Sequence, residues 1–322
     1  MDKQKKEELI KKHISEKPKL VKGLSSLDIK GIANYIKNGN AKKILILTGA
    51  GISVYSGIPD FRSDNTGIYN NIQKYNLSKP ELIFTRFYFN INPKPFFDIM
   101  KMFLEKEYKP SPAHYLPVLF NKKGILLKYY TQNVDNLDKK AGLNEDYLIE
   151  FHGTIKYSTC RKCNKKYLTE EIKNDILNNL IPKCKICNGI IQPDIVLYDD
   201  DLPEKMFEEL DYNFQNCDLL IVMGTSLKVE PFPGMIEDPK DNVPRILINN
   251  EIVGSYEEEL EERNGKLIEI SKERLSKKFK FGHFFNTRDV FIGGDLQNNV
   301  IELVKELGWE DEFNNLIDNN NK

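Results

Sequence analysis

Four short apolar runs, each ending in small or polar residues, constrain the fold of this chain more than any other feature. Lys43 to Leu47 leads into Thr48-Gly49-Ala50-Gly51, and Leu126 to Tyr130 leads into Thr131-Gln132-Asn133. Asp218 to Met223 enters Gly224-Thr225-Ser226, and Arg245 to Ile248 enters Asn249. Apolar runs of this length without polar alternation suit parallel strands, whose two faces are both covered by helices. Open sheets of such strands bind ligands beyond their carboxyl ends, so the residues after each run mark a site before any motif is considered. With 322 residues the chain has room for two domains, or for one large α/β domain with an insertion.

Composition removes several classes. Apolar residues make up 40% and charged residues 30%, the balance of a globular protein rather than a disordered one. Lysine plus arginine number 47 against 48 acids, so no global field draws nucleic acid or an anionic membrane. No apolar run approaches the roughly 18 residues of a membrane span. Met1 to Lys22 holds eight lysines and four acids without a secretory apolar core, which predicts a cytoplasmic or nuclear protein. Cys160, Cys163, Cys184 and Cys187 form two C-x2-C pairs separated by twenty residues. Two such knuckles can enclose a tetrahedral zinc ion with no open position, so the expected metal is structural. Cys217 stands alone and is expected to pack beside a strand.

Along the chain, a charged extension over 1–23 precedes a helix expected from Leu27 to Lys37, with Ser26 as N-cap and Gly39 as stop. Aromatics from Pro80 to Tyr108, broken by prolines, predict a helical insertion at about 70–110; the zinc module spans about 155–190. A charged insert at about 254–285 carries a run of five glutamates among Glu257 to Glu262, then a basic stretch with Lys272, Arg274, Lys277, Lys278 and Lys280. Its plain reading is solvated surface, with a nucleic-acid or import patch as the sharper alternative. The asparagine-rich tail, 310–322, is expected to fray. Gly49-Ala50-Gly51-Ile52-Ser53 reads as a strand-to-helix turn whose small residues admit a pyrophosphate, although Val54 stands where the dinucleotide fingerprint has its third glycine.

Further motifs follow in order. They are Gly57-Ile58-Pro59-Asp60-Phe61-Arg62-Ser63, Thr66-Gly67-Ile68-Tyr69, Tyr130-Thr131-Gln132-Asn133-Val134-Asp135, and Phe151-His152-Gly153-Thr154. After the cysteines come Pro193-Asp194-Ile195-Val196, Gly224-Thr225-Ser226-Leu227, Val229-Glu230-Pro231-Phe232 and Leu247-Ile248-Asn249. From about Leu24 to Trp309 the chain resembles the sirtuins, the NAD-dependent protein deacylases, and most of all their class I cytosolic subgroup.

The resemblance implies a reaction in which the acyl-lysine carbonyl oxygen attacks the anomeric carbon of NAD and expels nicotinamide, leaving free lysine and 2′-O-acyl-ADP-ribose. It assigns catalysis to His152, as general base for the ribose hydroxyls, and to Asn133. Asn133 and Asp135 would hold the nicotinamide ribose and carboxamide, with Gln132 and Val134 beside them. Gly49, Ala50, Gly51, Ile52 and Ser53 line the cofactor turn, and Asp60, Phe61 and Arg62 belong to a segment that closes over it. Gly224, Thr225, Ser226, Asn249, Asn250 and Glu251 surround the adenosine half, and Asp295 falls where relatives often place a cysteine near adenine.

The resemblance also implies that an acyl-lysine peptide lies as a strand between two walls. One includes Val229 and Phe232, the other Val196, Tyr198 and Asp199. The second wall departs from the family's aromatic-glycine-acid pattern, reading Tyr198-Asp199-Asp200 and then Asp201, and three consecutive acids predict basic targets. Tyr69 is followed by Asn70-Asn71-Ile72-Gln73 without arginine, which favours acetyl or longer apolar acyl groups over acidic ones. The expected architecture is therefore α/β: a large Rossmann-like parallel-sheet domain, with a smaller domain made of the zinc-binding and helical modules. NAD is the expected co-substrate, zinc the structural metal and acyl-lysine proteins the partners. A sirtuin-type mono-ADP-ribosyltransferase is the alternative enzyme. A non-catalytic zinc-ribbon interaction module is the alternative of another class, favoured by the basic stretch near Lys272 to Lys280 and disfavoured by the neutral charge balance.

Overall fold

The computed structural model describes residues 18–60, 73–202, 204–255 and 277–320. Among these residues lie the strands β1 (Ile44–Thr48), β2 (Leu126–Thr131), β3 (Leu148–Glu150), β4 (Gly153–Cys160), β5 (Lys166–Leu168), β6 (Ile191–Ile195), β7 (Leu219–Met223), β8 (Arg245–Ile248) and β9 (Asp289–Ile292). Six form one parallel sheet in the order β3-β2-β1-β7-β8-β9, and the other three an antiparallel sheet, β5-β4-β6. The four runs expected from sequence are β1, β2, β7 and β8. Strand order reverses where β1 meets β7, so the crevice for a ligand opens at their carboxyl ends.

The uninterrupted apolar runs follow from burial on both faces. In β1, Ile44 and Ile46 join a core with the helices Ile29–Lys37, Pro112–Lys122 and Leu296–Leu307, while Leu45 and Leu47 face Phe214 and Phe232. β7 divides in the same way, Ile221 to one side and Val222 to the other. The first helix starts at Ile29 rather than Leu27, because the Asp28 carboxylate accepts the Gly31 N–H at 2.7 Å and Ser26 only donates to that carboxylate. Gly39, at φ +73°, ends it as expected.

Two expected boundaries move. Residues 310–320 are not a frayed tail but the helix Glu310–Asn320, because Phe313, Leu316 and Ile317 recur at helical spacing and pack on the main core. The end of the N-terminal extension also docks: the Val21 N–H donates to the Thr287 carbonyl at 3.0 Å and Leu24 is buried.

The smaller part has a single core. Phe84, Phe89, Phe96 and Phe97 of the helical insertion cluster with Tyr167, Ile172, Ile176 and Ile191 of the cysteine module. Phe96 meets Phe89 and Phe97 edge-to-face at 5.2 and 5.5 Å, the favoured geometry of aromatic quadrupoles. Neither module buries these side chains alone, so the two fold as one unit.

The charged insert leaves and re-enters the large domain at one point. Ser255 bridges Phe279, and the fully buried Arg245 donates to the Lys277 and Lys278 carbonyls while pairing with Asp289 at 2.7 and 2.8 Å. Removing only Arg245 would strand a buried carboxylate, at a cost of about 3–5 kcal/mol. Lys278, read from sequence as part of an exposed basic stretch, is instead buried and paired with Glu237 at 3.0 Å. Lys272 and Arg274 lie outside the described residues.

Candidate functional site

The turn after β1 differs from expectation. No α-helix begins there; Ala50–Ile52 and Val54–Ser56 are two short 3-10 turns. The glycines serve first to bring two loops together. The Gly51 N–H donates to the Gly224 carbonyl at 2.8 Å, and a Cβ on Gly51 would lie 2.8 Å from Gly224 Cα. A Cβ on Gly224, at φ +58°, would lie 2.6 Å from the Ile52 nitrogen. Only glycine lets the β1 and β7 loops touch here.

This contact frames a buried polar network. Ser53 Oγ donates to Asp135 Oδ2 at 2.7 Å and accepts from Asn133 Nδ2 at 3.1 Å; Asp135 Oδ1 accepts the Leu137 N–H at 2.9 Å. Burial pushes the Asp135 carboxyl above its ordinary value despite these bonds. His114 is 3.3 Å from Ser53 Oγ through Nε2, and its Nδ1 accepts the Ser111 N–H at 3.0 Å. That bond assigns the remaining proton to Nε2, facing Ser53. Burial lowers the His114 pKa to about 3, so the ring is neutral. The Ser111-Pro112-Ala113-His114 capping box at the start of the helix holds this ring in place. Below Asn133, Thr131 Oγ1 accepts the Asn133 N–H, and Thr48, Tyr129 and Asp138 continue the chain of bonds.

His152 sits between β3 and β4. Its ring bonds to the Gln132 backbone, and burial lowers its pKa. Gly153 beside it, at φ +78°, passes so near the Asp194 carbonyl that a Cβ would come within 2.1 Å. One expected peptide wall borders this histidine, and the other is bonded to Gln132. The Val196 N–H donates to the His152 carbonyl at 2.9 Å, while Gln132 reaches the Val229 carbonyl at 3.5 Å and Thr225 Oγ1 at 2.7 Å. Tyr198 is exposed, and Asp199 accepts the Arg86 and Phe87 N–H groups. Phe232 departs from its expected contact role: it is fully buried, edge-to-face against Phe151 at 5.5 Å.

The remaining cofactor candidates separate. Ile52 is buried in the core and Val134 packs on the smaller domain's core. Asn249 turns inward, donating to the Glu251 carbonyl at 3.0 Å, while Asn250 and Glu251 are exposed at the carboxyl end of β8. Ala50, Ser226 and Asp60 are half-buried. Asp295 lies beyond β9, but its carboxylate caps the following helix, accepting the Asn298 N–H at 2.8 Å. Phe61, Arg62 and Tyr69 to Ile72 lie outside the described residues. Two side-chain groups therefore stand at these loops, Ser53 bonded to Asn133 and Asp135, and Gln132 bonded to Thr225.

The four module cysteines also converge. Their Sγ atoms all lie within 4.8 Å of one another, with Cys160 to Cys187 at 3.4 Å and Cys163 to Cys184 at 3.6 Å. Tetrahedral zinc with Zn–S near 2.3 Å needs sulfurs about 3.8 Å apart, so the set fits. Each knuckle closes through an asparagine at positive φ, Asn164 at 58° and Asn188 at 56°. Tyr167 Oη donates to Cys184 Sγ at 3.1 Å. Cys217 is buried against the Phe214 carbonyl, away from this cluster, as expected.

A sequence model of the Sir2 family matches residues 49–231. The NAD-dependent protein deacetylase sirtuin-2 of Danio rerio is 43% identical over 298 residues, covering 92% of this chain and 76% of the relative. The NAD-dependent protein deacetylase hst2 of Schizosaccharomyces pombe is 38% identical over 294 residues, covering 91% and 80%. The NAD-dependent deacetylase sir2A of Dictyostelium discoideum is 42% identical over 294 residues, 90% of this chain but 54% of that protein, so the chain spans about half its length.

Proposed function

The chain belongs to the Sir2 family, and from that premise we propose that it is an NAD-dependent protein-lysine deacylase, moving the acyl group of a lysine side chain to ADP-ribose with release of nicotinamide. The observation that carries the reading is His152, half-buried between two walls and beside the Ser53–Asn133–Asp135 network. NAD, when bound, supplies the ribose carbon and hydroxyls that receive the acyl group.

The chain's own residues would do the rest. The His152 ring, with one nitrogen committed to the Gln132 carbonyl, keeps the other as an acceptor for a hydroxyl proton. Burial holds the ring neutral at physiological pH, which is the form a base needs. Ser53 fixes the Asn133 amide and the Asp135 carboxylate in place, so their remaining lone pairs and N–H are presented without reorganisation. Val196 and Val229 bracket the peptide strand. Cys160, Cys163, Cys184 and Cys187 would hold zinc, which with four protein ligands has no open position and maintains the smaller domain.

The partners in this reading are acyl-lysine proteins, with acetyl or longer apolar acyl groups favoured. Five free thiols, four of them gathered for a metal, support a reducing compartment, cytoplasmic with the nucleus as alternative. Among the described residues no helix is long and apolar enough to cross a membrane.

The test is mass spectrometry of the protein with an acetyl-lysine peptide, with and without NAD, beside His152→Ala. NAD-dependent loss of acetyl, equimolar nicotinamide, and a fall of about 100-fold or more in the variant are expected. ADP-ribose on protein with the peptide still acetylated would move the reading to a transferase.

A further inference from the structure

Asp199, Asp200 and Asp201 follow the Val196 wall, and on sequence alone they make it acidic. The fold ties two of the three carboxylates to partners, and one of those partners is a cation. Asp199 accepts the backbone N–H groups of Arg86 and Phe87, which outweigh the effect of partial burial and hold its carboxyl below the ordinary range. Asp200 is gripped by the Arg86 guanidinium in a fork, Nε to Oδ1 at 2.9 Å and Nη2 to Oδ2 at 2.5 Å. The third arm of the fork, Nη1, reaches Gln192 Oε1 at 2.5 Å, and the Leu197 N–H donates to Asp200 Oδ2 at 3.1 Å. Both charged side chains are shielded from solvent, 17% and 24% exposed, so the pair is less screened than a surface bridge.

Beside this pair lies a polar cavity of about 220 Å³, lined by Arg86, Arg161, Asp194, Asp200, Asp201 and Val196 among others. It is continuous with the peptide wall, because Val196 is the residue bonded to the His152 carbonyl. Its charges cancel. Arg86 offsets Asp200 and Lys166 pairs with Asp194 at 3.2 Å, while Arg161 and the exposed Asp201 both line the cavity, so Arg86, Arg161 and Lys166 match Asp194, Asp200 and Asp201 in number. Asp200 and Asp201 therefore add no net charge to the cavity, while Asp199 stays ionised on the wall outside its lining.

We propose that this cavity is the subsite for a side chain flanking the acyl-lysine, and that Arg86 sets its selectivity by keeping it electrically balanced, so that basic and acidic neighbours are accepted alike. The inference rests on the proposed function, in which the peptide runs along Val196 to Asp199. Arg86 is a positioning and specificity residue here, acting through Asp199 and Asp200 and not on the reacting atoms.

The experiment compares two acetyl-lysine peptides, identical except for lysine or glutamate flanking the acyl-lysine. It reads both kcat/KM and NAD-free binding by anisotropy, at low salt and at about 0.5 M salt. Wild type is expected to treat the pair within about twofold. Arg86→Met leaves Asp200 uncompensated and should shift the ratio toward the basic peptide by about threefold to tenfold at low salt. Asp200→Asn leaves Arg86 uncompensated and should shift it the other way. The double variant should return near the wild-type ratio, and high salt should shrink each single shift. A purely structural role would weaken both peptides alike and leave the ratio in place, which overturns the inference, as does movement of both single variants in one direction. Zinc content and melting temperature check that each variant is folded. If folded wild type neither binds nor turns over either peptide, the reading of the cleft itself fails and the subsite with it.

Discussion

Replacing Ser53 with alanine tests whether the buried network prepares the site. Ser53 is 1% exposed, and besides the longer 3.3 Å bond with His114 Nε2 its hydroxyl makes a charge-assisted bond to Asp135 Oδ2 at 2.7 Å and a neutral one from Asn133 Nδ2 at 3.1 Å. Charge-assisted bonds contribute about 1.5–3 kcal/mol and neutral ones about 1 kcal/mol, so the truncation removes roughly 2–4 kcal/mol of ordering. If that order is needed only when NAD and peptide are engaged, kcat/KM for NAD falls by about 30- to 1000-fold. His114 Nε2 also loses its neighbour, and Asp135 loses a bond that opposes its upward pKa shift. The assay is initial-rate kinetics with NAD varied at saturating acetyl-peptide, beside urea unfolding and zinc content. A variant that loses stability yet keeps kcat/KM within twofold of wild type would refute the argument, since the network would then be scaffolding only.

Two further expectations concern pH and metal. Burial depresses the His152 pKa below 6.5, so the acid limb of the pH profile of kcat/KM should lie below pH 6.5 and be missing from the residual activity of His152→Ala; an acid limb above pH 7 would contradict the assignment. By the same linkage His152 contributes stability that is present above its unfolded pKa and is lost as pH falls through its lower folded value, which urea titrations at several pH values would detect. Cys184→Ser, or a strong chelator, should release zinc and strip hydrogen-exchange protection from the helices Arg86–Ile91 and Lys94–Leu104 along with the cysteine module, because their phenylalanines share its core. Protection retained in those helices after zinc loss would show that the two modules fold separately.

What composition and pattern determine by themselves is considerable. The runs at β1, β2, β7 and β8 are legible because a strand buried on both faces must be apolar at every position, and the C-x2-C pairs because four thiolates at that spacing close on one ion. His152 was legible only through the motif around it; a lone histidine has no periodicity. Helix ends were less legible, since Ser26 and Asp28 are both good caps and only the observed Asp28–Gly31 bond chooses between them. The tail at 310–320 reads as polar by composition, yet three apolar residues on one face suffice once a core surface is there to receive them.

Tertiary structure alone decided the electrostatics and the alliances. Glycines that read as a phosphate turn are also what allows the β1 and β7 loops to touch, because their Cβ atoms would collide. His114 supports Ser53, 61 positions away in sequence. Three aspartates in a row look like a strong negative field, but charge along a chain does not reveal its partners. Arg86 comes from another segment, more than a hundred residues upstream, and offsets Asp200 only because the helical insertion folds onto the zinc module and brings its guanidinium within hydrogen-bonding reach of that carboxylate.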